Sequence, residues 1–322
     1  MNPLRERRPL WIAVGLAAFL LVDVVLIVWA IQATRTHAVL DEPLPMQSFA
    51  PAPTAAPPSR PAVTETPTPT PTPEPPPLVL AALPRLIEPV DATSAWRTST
   101  TSCAGGQAVI EHTDDGGATW VAFGLAPDVA GLVAIEAYAE AATVGATAAL
   151  VGDCRAEYRM SFTSGEFWAS YPDEQPDIPI VDPVDRGDLI TPGERIDTPC
   201  AEIAHAAPLA EGVAVVCTDA GLRVSPDRVA WQDVTMTGAA VAVTDADGSY
   251  IAALRRVPEC ADGIAIVRVG TDATAAPLAC LPAAPPETDP VAIGSALDGA
   301  LWLWAGERVA VSTDGGVTWS GW

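Results

Sequence analysis

The chain has 322 residues, enough for one globular domain with appendages, and 49% of them are apolar, which supplies a core. Forty acids against 17 bases give a formal charge of −23, which excludes a nucleic-acid binder, because phosphate neutralisation needs a basic surface. Every base is an arginine, which removes Schiff-base chemistry, a P-loop lysine and a Ser-Lys dyad together, and the only asparagine is Asn2, so no Asn-x-Ser/Thr glycosylation signal exists.

Residues 10–31 form a 22-residue apolar run with one charge, Asp23. At about 1.5 Å per residue this length crosses a hydrocarbon core of about 30 Å. Trp11 and Trp29 stand near its ends, and Arg5, Arg7 and Arg8 precede it. The positive-inside bias then places residues 1–9 in the cytoplasm, 10–31 across the cell membrane and the remainder outside. A cleaved signal peptide with Val28-Trp29-Ala30 as its site is the rival reading, but the apolar run is about twice a usual h-region of roughly 7 to 15 residues. An ionisable group in mid-span is costly, so Asp23 is either a tolerated charge or a pairing point for another helix.

Residues 32–78 read as a disordered Pro/Thr-rich linker: 14 prolines fall between 41 and 77, with the run TPTPTPTPEPPP. In polyproline II, at about 3.1 Å per residue, such a stalk holds a domain up to roughly 100 Å from the membrane, a span suited to a cell-wall layer. All six cysteines lie beyond it, as an oxidising exterior requires. Six cysteines allow 15 connectivities; sequential pairing, Cys103 with Cys154, Cys200 with Cys217 and Cys260 with Cys280, is the expectation. No Cys-x-x-Cys is present, and His112 and His205 have no ligand-like spacing to the cysteines.

Residues 79–322 contain an internal repeat. Ser312-Thr313-Asp314-Gly315-Gly316-Val317-Thr318-Trp319 shares its grammar with Thr113-Asp114-Asp115-Gly116-Gly117-Ala118-Thr119-Trp120. Weaker copies run from Ser161 through Gly165 to Trp168, and from Ser225 through Asp227 to Trp231, with a decayed one at Thr271-Asp272. The chemistry suits a tight turn: hydroxyl and carboxylate accept backbone N–H bonds, glycine takes positive φ, and tryptophan staples the turn to its sheet. Short β-branched runs precede the turns at 109–112, 158–162, 221–225, 264–269 and 308–312. A second set lies at 148–151, 213–216, 250–254 and 300–304, and a third at 132–135, 240–243 and 291–294. With one strand after each tryptophan, the unit has four strands. The turns start at 113, 161, 225, about 271 and 312, intervals near the 40 to 50 residues of a propeller blade, with residues 172–198 as an insertion in the longest.

The SxDxGxTW string resembles the Asp-box, or BNR, repeat of sialidases and of non-enzymatic extracellular β-propellers. The resemblance implies an all-β fold of about five four-stranded blades, or six, with the boxes at peripheral turns and without chemistry. Thr113, Asp115, Gly117, Trp120, Ser161, Gly165, Trp168, Ser225, Asp227, Trp231, Ser312, Asp314, Gly316 and Trp319 are therefore expected to be structural. Sialidase-like catalysis, as the resemblance implies it, needs three arginines, a tyrosine nucleophile paired with glutamate, and an aspartate acid/base. Neither Pro84-Arg85-Leu86-Ile87 nor Arg195-Ile196-Asp197-Thr198-Pro199 matches the Arg-Ile-Pro motif before the first box, and Glu157-Tyr158 sits beside a box, on a structural strand.

The expectation is thus a non-catalytic binding or scaffold module for a glycan or protein; a glycoside hydrolase and an assembly factor for a membrane complex are the alternatives. The insertion holds Asp173, Glu174, Asp177, Asp182, Asp185 and Asp188, read as a solvated loop, with calcium binding as the competing use. From Leu78 onward 12 arginines face 34 acids, a charge of about −22 that favours a neutral or basic partner. Trp302 and Trp304 share one strand face and read as packing between blades.

Overall fold

Each repeat turn bends one small antiparallel meander. The computed structural model describes residues 76–322 apart from 83, 100, 102, 104–106 and 141. The expected cytoplasmic segment 1–9, the span 10–31 and the stalk as far as 75 lie outside the described residues. Among the described residues, no helix is long and apolar enough to cross a membrane.

Among the described residues, six sheets follow one another in sequence. Blade 1 comprises β1 (Leu86–Pro89), β2 (Ala95–Thr98), β3 (Val109–Thr113) and β4 (Val121–Gly124). Blade 2 comprises β5 (Val129–Ala137), β6 (Val144–Leu150), β7 (Ala156–Ser161) and β8 (Ala169–Ser170). Blade 3 has three strands, β9 (Ile180–Val181), β10 (Leu189–Thr191) and β11 (Glu194–Ile196). Blade 4 comprises β12 (Ile203–Pro208), β13 (Val213–Cys217), β14 (Leu222–Ser225) and β15 (Gln232–Asp233). Blade 5 comprises β16 (Ala239–Ala246), β17 (Ser249–Arg255), β18 (Ile264–Val269) and β19 (Ala275–Leu281). Blade 6 comprises β20 (Val291–Ser295), β21 (Leu301–Ala305) and β22 (Arg308–Ser312); its fourth strand is reduced to a bridge between Val311 and Ser320. Every strand pair is antiparallel between neighbours in sequence, as short hairpin connections dictate.

The first strands of the blades, β1, β5, β9, β12, β16 and β20, touch in that order, and β20 meets β1 to close the ring. The core is therefore divided. One apolar cluster lies between blades 1 and 2, one between 4 and 5, one between 5 and 6, and one between 6 and 1, while a single cluster runs from blade 2 through thin blade 3 to blade 4. Closure depends on close approach at Gly294, where a Cβ would lie 2.7 Å from Pro89 Cδ.

The described residues form six blades, the larger of the two expected counts, and one expectation needs correction: residues 172–198 supply the third blade rather than a loop insertion. Its strands are two or three residues long, separated by proline, and carry no box, so periodicity had nothing to register. Residues 76–80, at and just past the far end of the expected 32–78 linker, make contacts of their own. Pro76 O accepts a hydrogen bond from Arg256 Nη1 at 2.5 Å, and Leu78 packs on the cluster between blades 5 and 6. Leu80 N then donates to Thr218 O at 2.8 Å, so this lead-in touches blades 4 to 6 before β1 begins.

Candidate functional site

The repeat turns join third to fourth strands. Thr113 Oγ1 donates to Asp115 Oδ1 at 2.8 Å and accepts from Gly117 N at 3.1 Å, while Asp115 Oδ1 accepts from Thr119 N at 2.8 Å and Trp120 Nε1 donates to Gly117 O at 3.1 Å. Ser312, Asp314, Gly316, Thr318 and Trp319 repeat this set at 2.9, 2.9, 2.8 and 2.9 Å. At Ser161 the carboxylate is missing and Thr163 Oγ1 takes over, accepting from Phe167 N at 3.0 Å, while Gly165 and Trp168 keep their bonds. At Ser225, Asp227 accepts from Val229 and Ala230, and Trp231 Nε1 donates instead to Asp197 O at 3.0 Å.

The tryptophans reach further than a staple within one sheet. Trp120 packs edge-on against Trp302 of blade 6, with centroids 6.4 Å apart, and Trp231 bonds to blade 3. The box glycines lie under the preceding blade. At Gly165 (φ 85°) a Cβ would meet Trp96 of blade 1 at 3.1 Å, and at Gly117 (φ 86°) it would meet Val309 of blade 6 at 3.1 Å. These turns are joints between blades, so Trp302 and Trp304, both buried in the blade 6 to blade 1 seam, belong to the same system.

The cysteines form three disulfides, Cys103–Cys154, Cys200–Cys217 and Cys260–Cys280. The first ties blade 1 to blade 2. In blade 3, Asp182, Asp185 and Asp188 converge on Arg195, whose Nη1 lies 2.7 Å from Asp188 Oδ2 and 3.4 Å from Asp185 Oδ2 while Nη2 bonds Asp182. Asp173, Glu174 and Asp177 are exposed and take no part in this network. Among the described residues, no group of three or more His, Cys, Asp or Glu side chains is placed to hold a metal ion.

The channel on the ring axis encloses a cavity of about 300 Å³, at the small end of ligand-site volumes. It is lined from β1 by Glu88, from β5 by Glu136, from β12 by His205 and from β16 by Asp245, with Arg85 just ahead of β1. Burial raises the Glu88 carboxyl well above its ordinary pKa, and the nearby charges of Asp245 and Glu136 raise it further. Burial also raises Asp245, which Ser295 hydrogen-bonds. Glu136 Oε2 accepts from Tyr138 Oη at 2.9 Å and from Tyr158 Oη, and the two phenols lie 2.9 Å apart. His205 is 5% exposed; burial lowers its pKa to about 4, so the ring is neutral, and it donates to the Val291 backbone two blades away.

A Tyr-Glu pair is thus present, though not the Glu157-Tyr158 neighbours that sequence places together. Its chemistry opposes nucleophilic use: burial, and then the bond to Glu136, push the Tyr158 phenol upward and hold its proton. Arginines do not converge on it. Arg85 Nη1 donates to Gly306 O at 2.8 Å and its guanidinium lies 3.9 Å from the Trp304 ring, while Arg97 pairs with Glu111 at 2.8 Å and covers Trp120 at 3.8 Å. All 12 arginines from residue 78 onward hold ion pairs or hydrogen bonds inside the domain. Sequence reading missed Glu88, Glu136, Asp245 and His205; the one available signal was a polar residue inside a short apolar run.

No protein-family model matches the chain, and no curated protein does. Among solved structures it is similar to YCF48 bound to D1 peptide (15% identity, 75% of this chain and 82% of that one, TM-score 0.40). It is also similar to the Aleuria aurantia lectin AAL (10%, 76% and 96%, TM-score 0.44) and to the WD40 β-propeller domain of Doa1 (10%, 75% and 83%, TM-score 0.42). These likenesses are of fold.

Proposed function

We propose that this chain is a membrane-anchored extracellular β-propeller that binds, without catalysis, a neutral or basic ligand, glycan or protein, at the mouth of its axial channel. The charge of the channel carries this reading: Glu88, Glu136 and Asp245 meet there, while every arginine of the domain already holds an ion pair or hydrogen bond within it. An anionic sugar would meet three carboxylates, while the one arginine in the lining, Arg85, is turned to Gly306 O and the Trp304 ring, a mismatch costing more inside a low-dielectric channel than on an open surface. The apolar run 10–31 and the proline-rich stalk support the anchored, outward-facing placement.

The Tyr158–Glu136 pair favours a second reading, a glycoside hydrolase, which the tightly held phenol proton argues against. Assays of the full chain separate the two. A glycan array and a pull-down are expected to return a ligand that Tyr158→Phe still binds, and fluorogenic sialosides are expected to remain intact; turnover lost in Tyr158→Phe would overturn the non-catalytic reading. Protease protection in intact cells reads the topology. If Asp23 serves assembly of a membrane complex, Asp23→Asn changes what co-purifies.

A further inference from the structure

One face of blade 2 looks toward blade 3. Tyr158 on β7 lies on it, against Gln175, Pro176 and Ile178 of the segment that leads into blade 3, and strand alternation puts Met160 on the same side. Phe162 follows β7 and meets Tyr171, which follows β8, edge-on with centroids 5.5 Å apart. Phe162 is 53% exposed, and Phe167, at the same turn, 72%. The turn does not need either ring. In the repeats that begin at Thr113 and Ser312 the corresponding places hold Asp114 with Thr119 and Thr313 with Thr318, all exposed and polar, and each second threonine bonds to the box aspartate. Here Thr163 Oγ1 holds the Phe167 backbone, and the rings add nothing to the bonding of the turn.

The neighbouring blade is incomplete. Blade 3 ends at β11, and among the described residues no strand or bridge pairs with the outer edge of β11. The two-residue turn at Pro192 and Gly193 pairs Thr191 with Glu194, so antiparallel alternation turns the Arg195 N–H and C=O away from β10, toward the place of a fourth strand. At other seams the repeat turn of one blade rests on the blade before it, Gly117 against Val309 and Gly165 against Trp96. Blade 3 has neither that turn nor a fourth strand to lay against the outer end of blade 2. The surroundings are acidic: Glu166 beside Phe167, Asp173 and Glu174 after Tyr171, and Glu194 on β11 are all exposed. No arginine offsets them, because Arg159 lies on the opposite face of β7, paired with Asp128 and Glu157, and Arg195 is shared by three aspartates.

We propose that this rim is a docking site for an extended, basic segment of another protein, which adds to β11 as the missing fourth strand of blade 3. Its main chain bonds to Arg195, its apolar side chains at alternate positions cover Phe162, Phe167 and Tyr171, and its cationic side chains meet the four acids. A second copy of this chain would bring the same acids to the contact, so charge favours a different, basic partner. The site is a second surface, on the rim, and does not depend on a ligand at the channel mouth.

The test is fluorescence anisotropy of the full chain with a labelled peptide of four Val-Arg repeats. A peptide of four Val-Glu repeats reverses the charge, and a Val-Arg peptide N-methylated throughout keeps the side chains but cannot pair as a strand. The Val-Arg peptide is expected to bind at one site and the other two about tenfold or more weakly. Phe162→Ser combined with Phe167→Thr, polar residues like those of the sister turns, is expected to weaken binding about tenfold. Hydrogen exchange is expected to slow at the Arg195 amide when the peptide is bound. Arg195→Pro, which removes that donor, is expected to weaken binding about tenfold, whereas Arg195→Ala, which loses only the ion pairs, is not. Melting curves establish that each variant is folded; should Arg195→Pro fail, the exchange of the Arg195 amide in the wild-type chain decides. No binding, equal binding of the Val-Glu or N-methylated peptide, binding unchanged by the phenylalanine substitutions, or no slowing at Arg195 overturns the proposal. A dimer of the chain that the phenylalanine substitutions dissolve also overturns it, by giving the rim to a second copy.

Discussion

Gly145 leaves the gap through which the Tyr158 hydroxyl reaches Glu136. The three residues sit on β6, β7 and β5, and a Cβ at 145 would overlap the hydroxyl and lie 2.8 Å from Tyr158 Cζ. Gly145→Ala is expected to destabilise the chain by about 1 to 3 kcal/mol, the usual range for overpacking a filled core. Tyr158→Phe removes the clashing oxygen, so the double variant should regain most of that loss. Urea unfolding of the four chains forms a cycle; additivity would refute the contact as the cause.

How much of this was legible in the sequence depends on range. Asp115 and Asp314 bond to residues two to four positions away, so spacing alone exposed the turns and the strands beside them. Blade 3 left no such trace, because Ile180–Val181 and Glu194–Ile196 are too short for alternation to register and Pro179, Pro183 and Pro192 interrupt them. In blade 4, Ile203–Pro208 carries a histidine and ends in proline, which hid a buried inner strand. Glu88, Glu136 and Asp245 are far apart in the chain and meet only because β1, β5 and β16 face one axis. A channel is a property of ring closure, to which local periodicity is blind.

The disulfides close loops of different size. Chain-entropy scaling gives about 4 kcal/mol for the 51-residue separation of Cys103–Cys154 and about 3 kcal/mol for the 20-residue separation of Cys260–Cys280. Replacing both cysteines of the first pair by alanine is expected to lower the urea midpoint more than replacing the second pair. The reverse order would mean that native packing around Cys260, rather than loop size, sets the loss.

Ring closure concentrates on one tryptophan. Trp302 is fully buried in the seam and its Nε1 donates to Asp91 O of blade 1 at 2.8 Å. Trp302→Phe keeps an aromatic ring but leaves that carbonyl without its donor and opens a void, a loss of about 2 to 4 kcal/mol. Hydrogen exchange should then show β1 and β20 to β22 losing protection before the strands of blades 4 and 5. Uniform loss around the ring would show that the seam is no weaker than the other interfaces.

Acid and base act on stability through opposite groups. Hydrogen bonds from Thr119 and from Thr318 hold Asp115 and Asp314 at about 2, below the roughly 3.9 of an unfolded aspartate, so their contribution is complete above about pH 4 and disappears as pH falls toward 2. Glu88 has the opposite sign. Its folded carboxyl is raised by burial and by Asp245 and Glu136, so the folded chain holds a proton that the unfolded chain, near 4.3, has released. Stability therefore falls as pH rises from about 4.3 through the folded value. His205, at about 4 folded against 6.5 unfolded, opposes this between those limits, because there the unfolded chain binds the extra proton. Removing Glu88 alone isolates its share: Glu88→Gln should match the wild-type chain at about pH 4 and become progressively the more stable of the two toward about pH 8. Urea unfolding at three pH values checks the trend, and a difference that does not change with pH would mean that Glu88 keeps an ordinary carboxylate pKa inside the channel.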